Sequence, residues 1–194
     1  LQGMAHNAMT DVVTTVKLAR CLRQDRPTWD YLCGFFDKQV DTERCNNILK
    51  DTTGFPLGIL IDGKLGPDQH YQTAVTPLGG HKIYKNKSLW LRVDHEDLKE
   101  ANVDNFIEKT WVINKKLGES GLILPMKDRF LKAPLQNKQK EIKEVITWLQ
   151  TNPILFDKIS QHYQNYRYPQ IVNLDVVAKL YDNDFWSYQD QDTC

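Results

Sequence analysis

The sequence predicts an α+β chain: an amphipathic helix first, a small five-stranded β-barrel with an inserted helix in the middle, and α-helices at the end. Three observations lead there. Apolar residues recur at three- and four-residue steps near both ends of the chain. From Phe55 the pattern changes to short runs of β-branched and aromatic residues, bounded by Gly, Pro and Asn. At 194 residues, 41% hydrophobic and 26% charged, the chain is long enough to bury a real core as one large domain or two small ones.

Ala8, Met9, Val12, Val16, Ala19 and Leu22 form one apolar stripe, which predicts a helix over 8–24. Asn7 is its N-cap candidate, and Arg20 and Arg23 sit where cations favour the C-terminal end of the helix dipole. Pro27 stops that helix, and Trp29-Asp30-Tyr31-Leu32 begins a second helical segment. Strands are expected over Pro56–Asp62, Tyr71–Leu78, Ser88–Asp94, Thr110–Asn114 and Gly121–Met126. Asp62-Gly63-Lys64 and Gly79-Gly80 are turn signals between them, and 95–108 reads as a mixed helical stretch. Five short strands with one inserted helix suggest a barrel of the SH3-like or oligonucleotide-binding kind. Ile142, Val145, Ile146 and Leu149 mark a helix ended by Asn152-Pro153, and Ile154–Tyr166 makes the next.

No apolar run approaches the roughly 18 residues of a membrane helix, and no signal-peptide pattern precedes the first helix. The chain opens on Leu1 rather than Met, which reads as a cut or processed piece. Cys21, Cys33, Cys45 and Cys194 lack CxxC spacing and read as free thiols of a cytoplasmic protein. Basic and acidic residues balance at 25 each, but they are segregated. Lys109–Lys143 holds nine basic residues against Glu119, Asp128 and Glu141, whereas Asp94–Glu108 and Asp175–Asp192 are acidic. The basic segment fits a local anion-binding face, and it equally fits a solvated surface.

The chemistry-bearing segment is Ala5-His6-Asn7-Ala8-Met9-Thr10-Asp11-Val12. His6 falls just before the helix and Asp11 about one turn inside it, and helical side chains lean back toward the N-terminus. The carboxylate can therefore approach the imidazole. A metal nuclease needs a carboxylate to hold a divalent cation and a base to take a proton from water. Spacing alone also fits a surface His beside an exposed helical Asp.

The run A-H-N-A-M-x-D-V, followed by a helix and then R-x-x-x-R-P-x-W-D-Y-L through Leu32, closely resembles the exodeoxyribonuclease I family. That family belongs to the four-carboxylate (DEDDh) 3′→5′ exonucleases. The resemblance continues through Val75-Thr76-Pro77-Leu78 and Leu91-Arg92-Val93-Asp94, and ends with Leu174-Asp175 and Leu180-Tyr181-Asp182-Asn183-Asp184-Phe185-Trp186. It implies residues 1–33 as the end of an exonuclease domain, 34–135 as an SH3-like barrel domain, and 136–194 as a helical segment leading into a C-terminal helical domain. It also implies release of 5′-mononucleotides from single-stranded DNA with Mg²⁺, in DNA repair and recombination. Asp11 would bind metal and His6 would be the general base, with its ordinary pKa close to working pH. Only the family's third motif maps to this sequence. Its other three carboxylates do not, so the chain alone is expected to be inactive.

His81-Lys82-Ile83-Tyr84-Lys85-Asn86-Lys87 interleaves cations with an aromatic ring at an expected hairpin tip. Single-strand binders use that mixture, with Lys82 and Lys85 on phosphates and Tyr84 as a stacking platform; a solvated turn explains it too. Lys115, Lys116, Lys127, Arg129 and Lys132 are candidates to track a DNA strand, and the five tryptophans are expected to pack in cores. The resemblance further implies docking of the acidic C-terminal tail of single-stranded DNA-binding protein, with Tyr31 matching part of that surface and Phe55 standing where the family pattern has Lys. A competing reading keeps the barrel and drops the catalysis: a DNA- or protein-binding SH3-like module.

Overall fold

A computed structural model of the chain describes residues 8–50 and 54–168. The five runs rich in β-branched and aromatic residues form β1 (Gly58–Ile61), β2 (Gln72–Gly80), β3 (Lys87–Arg92), β4 (Val112–Lys116) and β5 (Leu122–Pro125). They make one antiparallel sheet in the order β4-β3-β2-β1-β5, so the chain meanders from β1 to β4 and β5 returns to pair with β1. The stretch between β3 and β4 holds a 3₁₀ segment at Glu96–Glu100 and the short α4 (Phe106–Lys109), as the mixed pattern there suggested.

The strands read as nearly continuous apolar runs because both faces of the sheet are covered. Ile59, Ala74, Leu89, Leu91 and Leu124 point into one core, and their neighbours Leu60, Val75, Trp90 and Ile123 point into another. The first core is closed by Phe35 and by α5 (Ala133–Asn137), α6 (Gln139–Thr151) and α7 (Pro153–Gln164). Ile142, Val145, Ile146 and Leu149 all lie in it, so the stripe read from the sequence is the buried face of α6. The sheet and the closing helices thus share one hydrophobic interior.

The second core is closed by α3 (Lys38–Leu49) through Cys45 and Ile48. The sequence pattern left residues 38–49 unassigned. Asp37 starts this helix by accepting hydrogen bonds from the Gln39 and Val40 amides, at 2.9 and 3.0 Å.

Before it come α1 (Ala8–Leu22) and α2 (Arg26–Cys33), the latter capped by Asp25 with Pro27 in its first turn. The stripe of α1 is not a core face within the described residues. No residue of α1 is buried, and Met9, Val12 and Leu22 are 70%, 58% and 56% exposed.

One β-bulge fixes how α7 meets the sheet. The β2–β3 register slips between Pro77 and Gly79, and Gly79 takes φ +96°. A Cβ at Gly79 would stand 2.8 Å from the Gln164 side-chain nitrogen, which instead donates to the Leu78 carbonyl at 2.5 Å.

Candidate nucleic-acid interface

Of the two motif residues, His6 lies outside the described residues. Asp11 sits in the first turn of α1 with its side chain exposed, while its carbonyl accepts from the Thr15 hydroxyl at 2.8 Å. Among the described residues no group of three or more His, Cys, Asp or Glu side chains is placed to hold a metal ion. The donor set of the described residues therefore does not by itself make a divalent-cation site.

Tyr31, at the end of α2, opens onto a cavity of about 550 Å³ that Arg44, Asn47, Phe55, Met126 and Lys127 also line. The Arg44 guanidinium lies 4.2 Å from the Tyr31 ring centre and 4.2 Å from that of Phe35, and donates to the Tyr31 carbonyl at 2.8 Å. Stacking and the hydrogen bond hold the cation at the cavity wall. Phe55 lines the wall, and the cations on that wall are Arg44 and Lys127. Sequence reading missed Arg44 because the helix carrying it went unassigned.

The 81–87 segment does connect β2 to β3. His81 is 4% exposed, and its Nδ1 accepts from the Ile83 and Tyr84 amides at 3.2 and 3.3 Å. Burial, and then the nearby Lys87 charge, lower its pKa, while a hydrogen bond to the Tyr166 carbonyl opposes them. This histidine folds the turn, so Lys82 and Lys85 project into solvent and Tyr84 is half-buried.

Lys115 corrects an expectation. It is not on a DNA-facing surface: its ammonium forms an ion pair with Asp41 at 2.7 Å, and both side chains are 0% exposed. Asp41 also accepts from the Gly118 amide at 2.8 Å. Along β4, Lys115 shares the inward face with Ile113, and the pairing with α3 makes that burial tolerable. Lys116 points outward and pairs with Glu119, and Arg129 is exposed with its guanidinium 4.6 Å from the Phe130 ring. Lys109, at the start of the basic run, is held by Glu100 at 2.6 Å. Trp90 packs as expected, at 1% exposure, but Trp111 is 48% exposed with Arg92 behind it at 4.7 Å.

No family model matches the chain, and no curated protein matches it by sequence. Solved structures do. E. coli exonuclease I in complex with a dA16 oligonucleotide superposes with TM-score 0.69 and 18% identity, covering 97% of this chain and 43% of that one. The chain has the exonuclease I fold. Apo exonuclease I gives TM-score 0.69 at 19% identity over 99% of this chain and 41% of that one. An SSB/exonuclease I structure in complex with the inhibitor CFAM gives 0.66 at 17%, over 94% and 40%. The chain therefore spans about two-fifths of the length of the exonuclease I structures it matches.

Proposed function

We propose that this chain is part of an exonuclease I-type enzyme that degrades single-stranded DNA from the 3′ end to 5′-mononucleotides, in DNA repair. The observation that carries this is the fold match along 97% of the chain to a protein whose solved complex holds a DNA oligonucleotide. The His6/Asp11 motif and the segments quoted above support the same reading from sequence. In it, residues 1–33 end the nuclease domain, 34–135 form an SH3-like domain and 136–194 lead into a helical one. A cytoplasmic location belongs to the same proposal. It accords with free thiols at Cys21, Cys33 and Cys45, and no described helix is long and apolar enough to cross a membrane.

His6 would take a proton from the attacking water, and Asp11 would contribute one carboxylate toward Mg²⁺. Further carboxylates would have to come from outside the described residues, so the described part of this chain serves mainly to bind and orient DNA. Lys82, Lys85 and Arg129 are exposed cations available for phosphates, and Lys116 is exposed but paired with Glu119. The cavity beside Tyr31 suits a peptide ending in carboxylates, because Arg44 and Lys127 give it positive walls and Phe55 and Met126 give it apolar ones. The acidic tail of single-stranded DNA-binding protein has that chemistry.

The deciding experiment uses the full-length gene product with labelled single-stranded DNA. Asp11→Asn should abolish turnover and His6→Ala should slow it by about 10²–10⁴, with DNA affinity retained in both. Full activity in Asp11→Asn would sink the catalytic reading and leave the chain as a binding module.

A further inference from the structure

The end of α7 and the β2–β3 connection meet in a continuous array of rings. His81 and Tyr84 lie 4.6 Å apart, Tyr84 and Tyr168 5.5 Å, and Tyr168 and Tyr166 5.6 Å. Tyr166 continues to His162 at 6.4 Å, and His162 to Phe106 at 5.3 Å. The Lys87 ammonium sits between two rungs, 4.6 Å from the Tyr84 ring and 5.0 Å from that of Tyr168.

Backbone hydrogen bonds make the junction rigid. The Lys82 amide donates to the Gln164 carbonyl at 2.9 Å, and the Gln164 side chain returns a bond to Leu78. Buried His81 joins the turn on one side to the Tyr166 carbonyl on the other.

The inner rings of this array are covered and the outer ones are not. Tyr166 is 43% exposed and Tyr168 56%. Lys82, Lys85 and Arg167 are exposed beside them, and none of these, nor Lys87, forms an ion pair among the described residues. Flat π surfaces call for a flat partner, and cations without carboxylates call for an anionic one. A neutral sugar polymer meets the first demand only, and an acidic peptide or acidic sugar polymer without flat rings only the second. A single nucleic-acid strand meets both: its bases stack on aromatic faces and its phosphates run past the cations. A duplex hides its base faces inside the helix and offers only the phosphates.

We propose that Tyr166 and Tyr168, backed by Tyr84 and Lys87, form a base-stacking platform for single-stranded DNA. The proposal rests on the reading of this chain as a single-strand binder and names the surface that holds the strand. It gives the segment that follows α7 a share in the site, which the basic run of Lys109–Lys143 does not.

The test is fluorescence anisotropy of the 194-residue chain with labelled oligothymidine, with an abasic strand of the same length, and with a duplex. Tyr166→Ala and Tyr168→Ala should each weaken oligothymidine binding roughly fivefold or more, the lower end for losing one stacked base. Tyr168→Trp should restore it. The abasic strand should bind the unaltered chain at least as weakly as oligothymidine binds either single Tyr variant, because it loses the stacking on both rings. The salt dependence should stay unchanged in the Tyr variants. In Lys85→Ala or Lys87→Ala it should flatten by about 0.7 in slope for each phosphate no longer neutralised. If oligothymidine binds but the Tyr variants match the unaltered chain, or the abasic strand binds equally well, the platform is overturned while the single-strand reading stands. If the unaltered chain fails to bind oligothymidine at low salt, both fall.

Discussion

The Lys115 ammonium and the Asp41 carboxylate lie 2.7 Å apart with no solvent access to either side chain. This pair pins edge strand β4 to α3, across a core that also holds Cys45 and Ile48. Breaking a buried pair from one side leaves a charge stranded, which costs about 3–5 kcal/mol. Lys115→Met should lower the urea midpoint accordingly, because Asp41 then keeps only the Gly118 amide. Asp41→Leu combined with Lys115→Met should recover most of that loss. If Lys115→Met is neutral for stability but weakens DNA binding, the lysine faces DNA and the assignment is wrong.

Cys45 lies one helical turn beyond Asp41 on α3. Burial, reinforced by the Asp41 charge, pushes its thiol up from about 9 to about 11. The unfolded thiol ionises first as pH rises, so the stability present below pH 9 is lost between 9 and 11. The full loss is about 2–3 kcal/mol, from roughly 1.4 kcal/mol per unit. Urea midpoints measured across that range should fall more steeply for the unaltered chain than for Cys45→Ala. Thiol reagents near neutral pH should label exposed Cys21 and Cys33 while leaving Cys45 intact.

Incubated alone with labelled single-stranded DNA and Mg²⁺, the chain should release no mononucleotides. In the proposed reading it supplies one of four metal-binding carboxylates, and Asp11 has no cluster of acidic, His or Cys side chains around it among the described residues. Mononucleotide release that survives purification and disappears in Asp11→Ala would show a complete site within the 194 residues.

An acidic peptide with a free C-terminal carboxylate should bind the cavity beside Tyr31. Calorimetric titration should show affinity falling about tenfold or more in Arg44→Ala, since a charge-assisted hydrogen bond contributes about 1.5–3 kcal/mol. Lys127→Glu should weaken it as well. Oligothymidine affinity should survive Arg44→Ala; a parallel loss of both would mean that peptide and DNA share one surface.

The five strands and the α6 stripe were readable because their signals are local. β-Branched and aromatic runs between turn residues locate β1 to β5, and Ile142, Val145, Ile146 and Leu149 repeat at helical spacing. α3 was not readable. Its sequence, KQVDTERCNNIL, buries only Asp41, Cys45 and Ile48, and two of those three are not strong apolar markers. The cap at Asp37 was the available signal. Lys115 was misjudged because composition counts charges without regard to facing. Period-two alternation with Ile113 places it inward, but a charged inward position makes sense only once its partner on α3 is known. Tyr166 and Tyr168 join Tyr84 across some eighty residues of sequence, a proximity that only the folded chain brings about.

The exposure of Val12, Val16 and Leu22 on α1 bears on the placement of Asp11. Val12, Val13, Thr14, Thr15 and Val16 are β-branched residues in a row, poor helix formers that lose rotamer freedom in this conformation. A 15-residue helix of that composition is marginal in water without a packed face. Its regularity, and hence the direction in which the Asp11 carboxylate points, therefore depends on what packs against the stripe of Val12, Val16 and Leu22, which are 58%, 44% and 56% exposed.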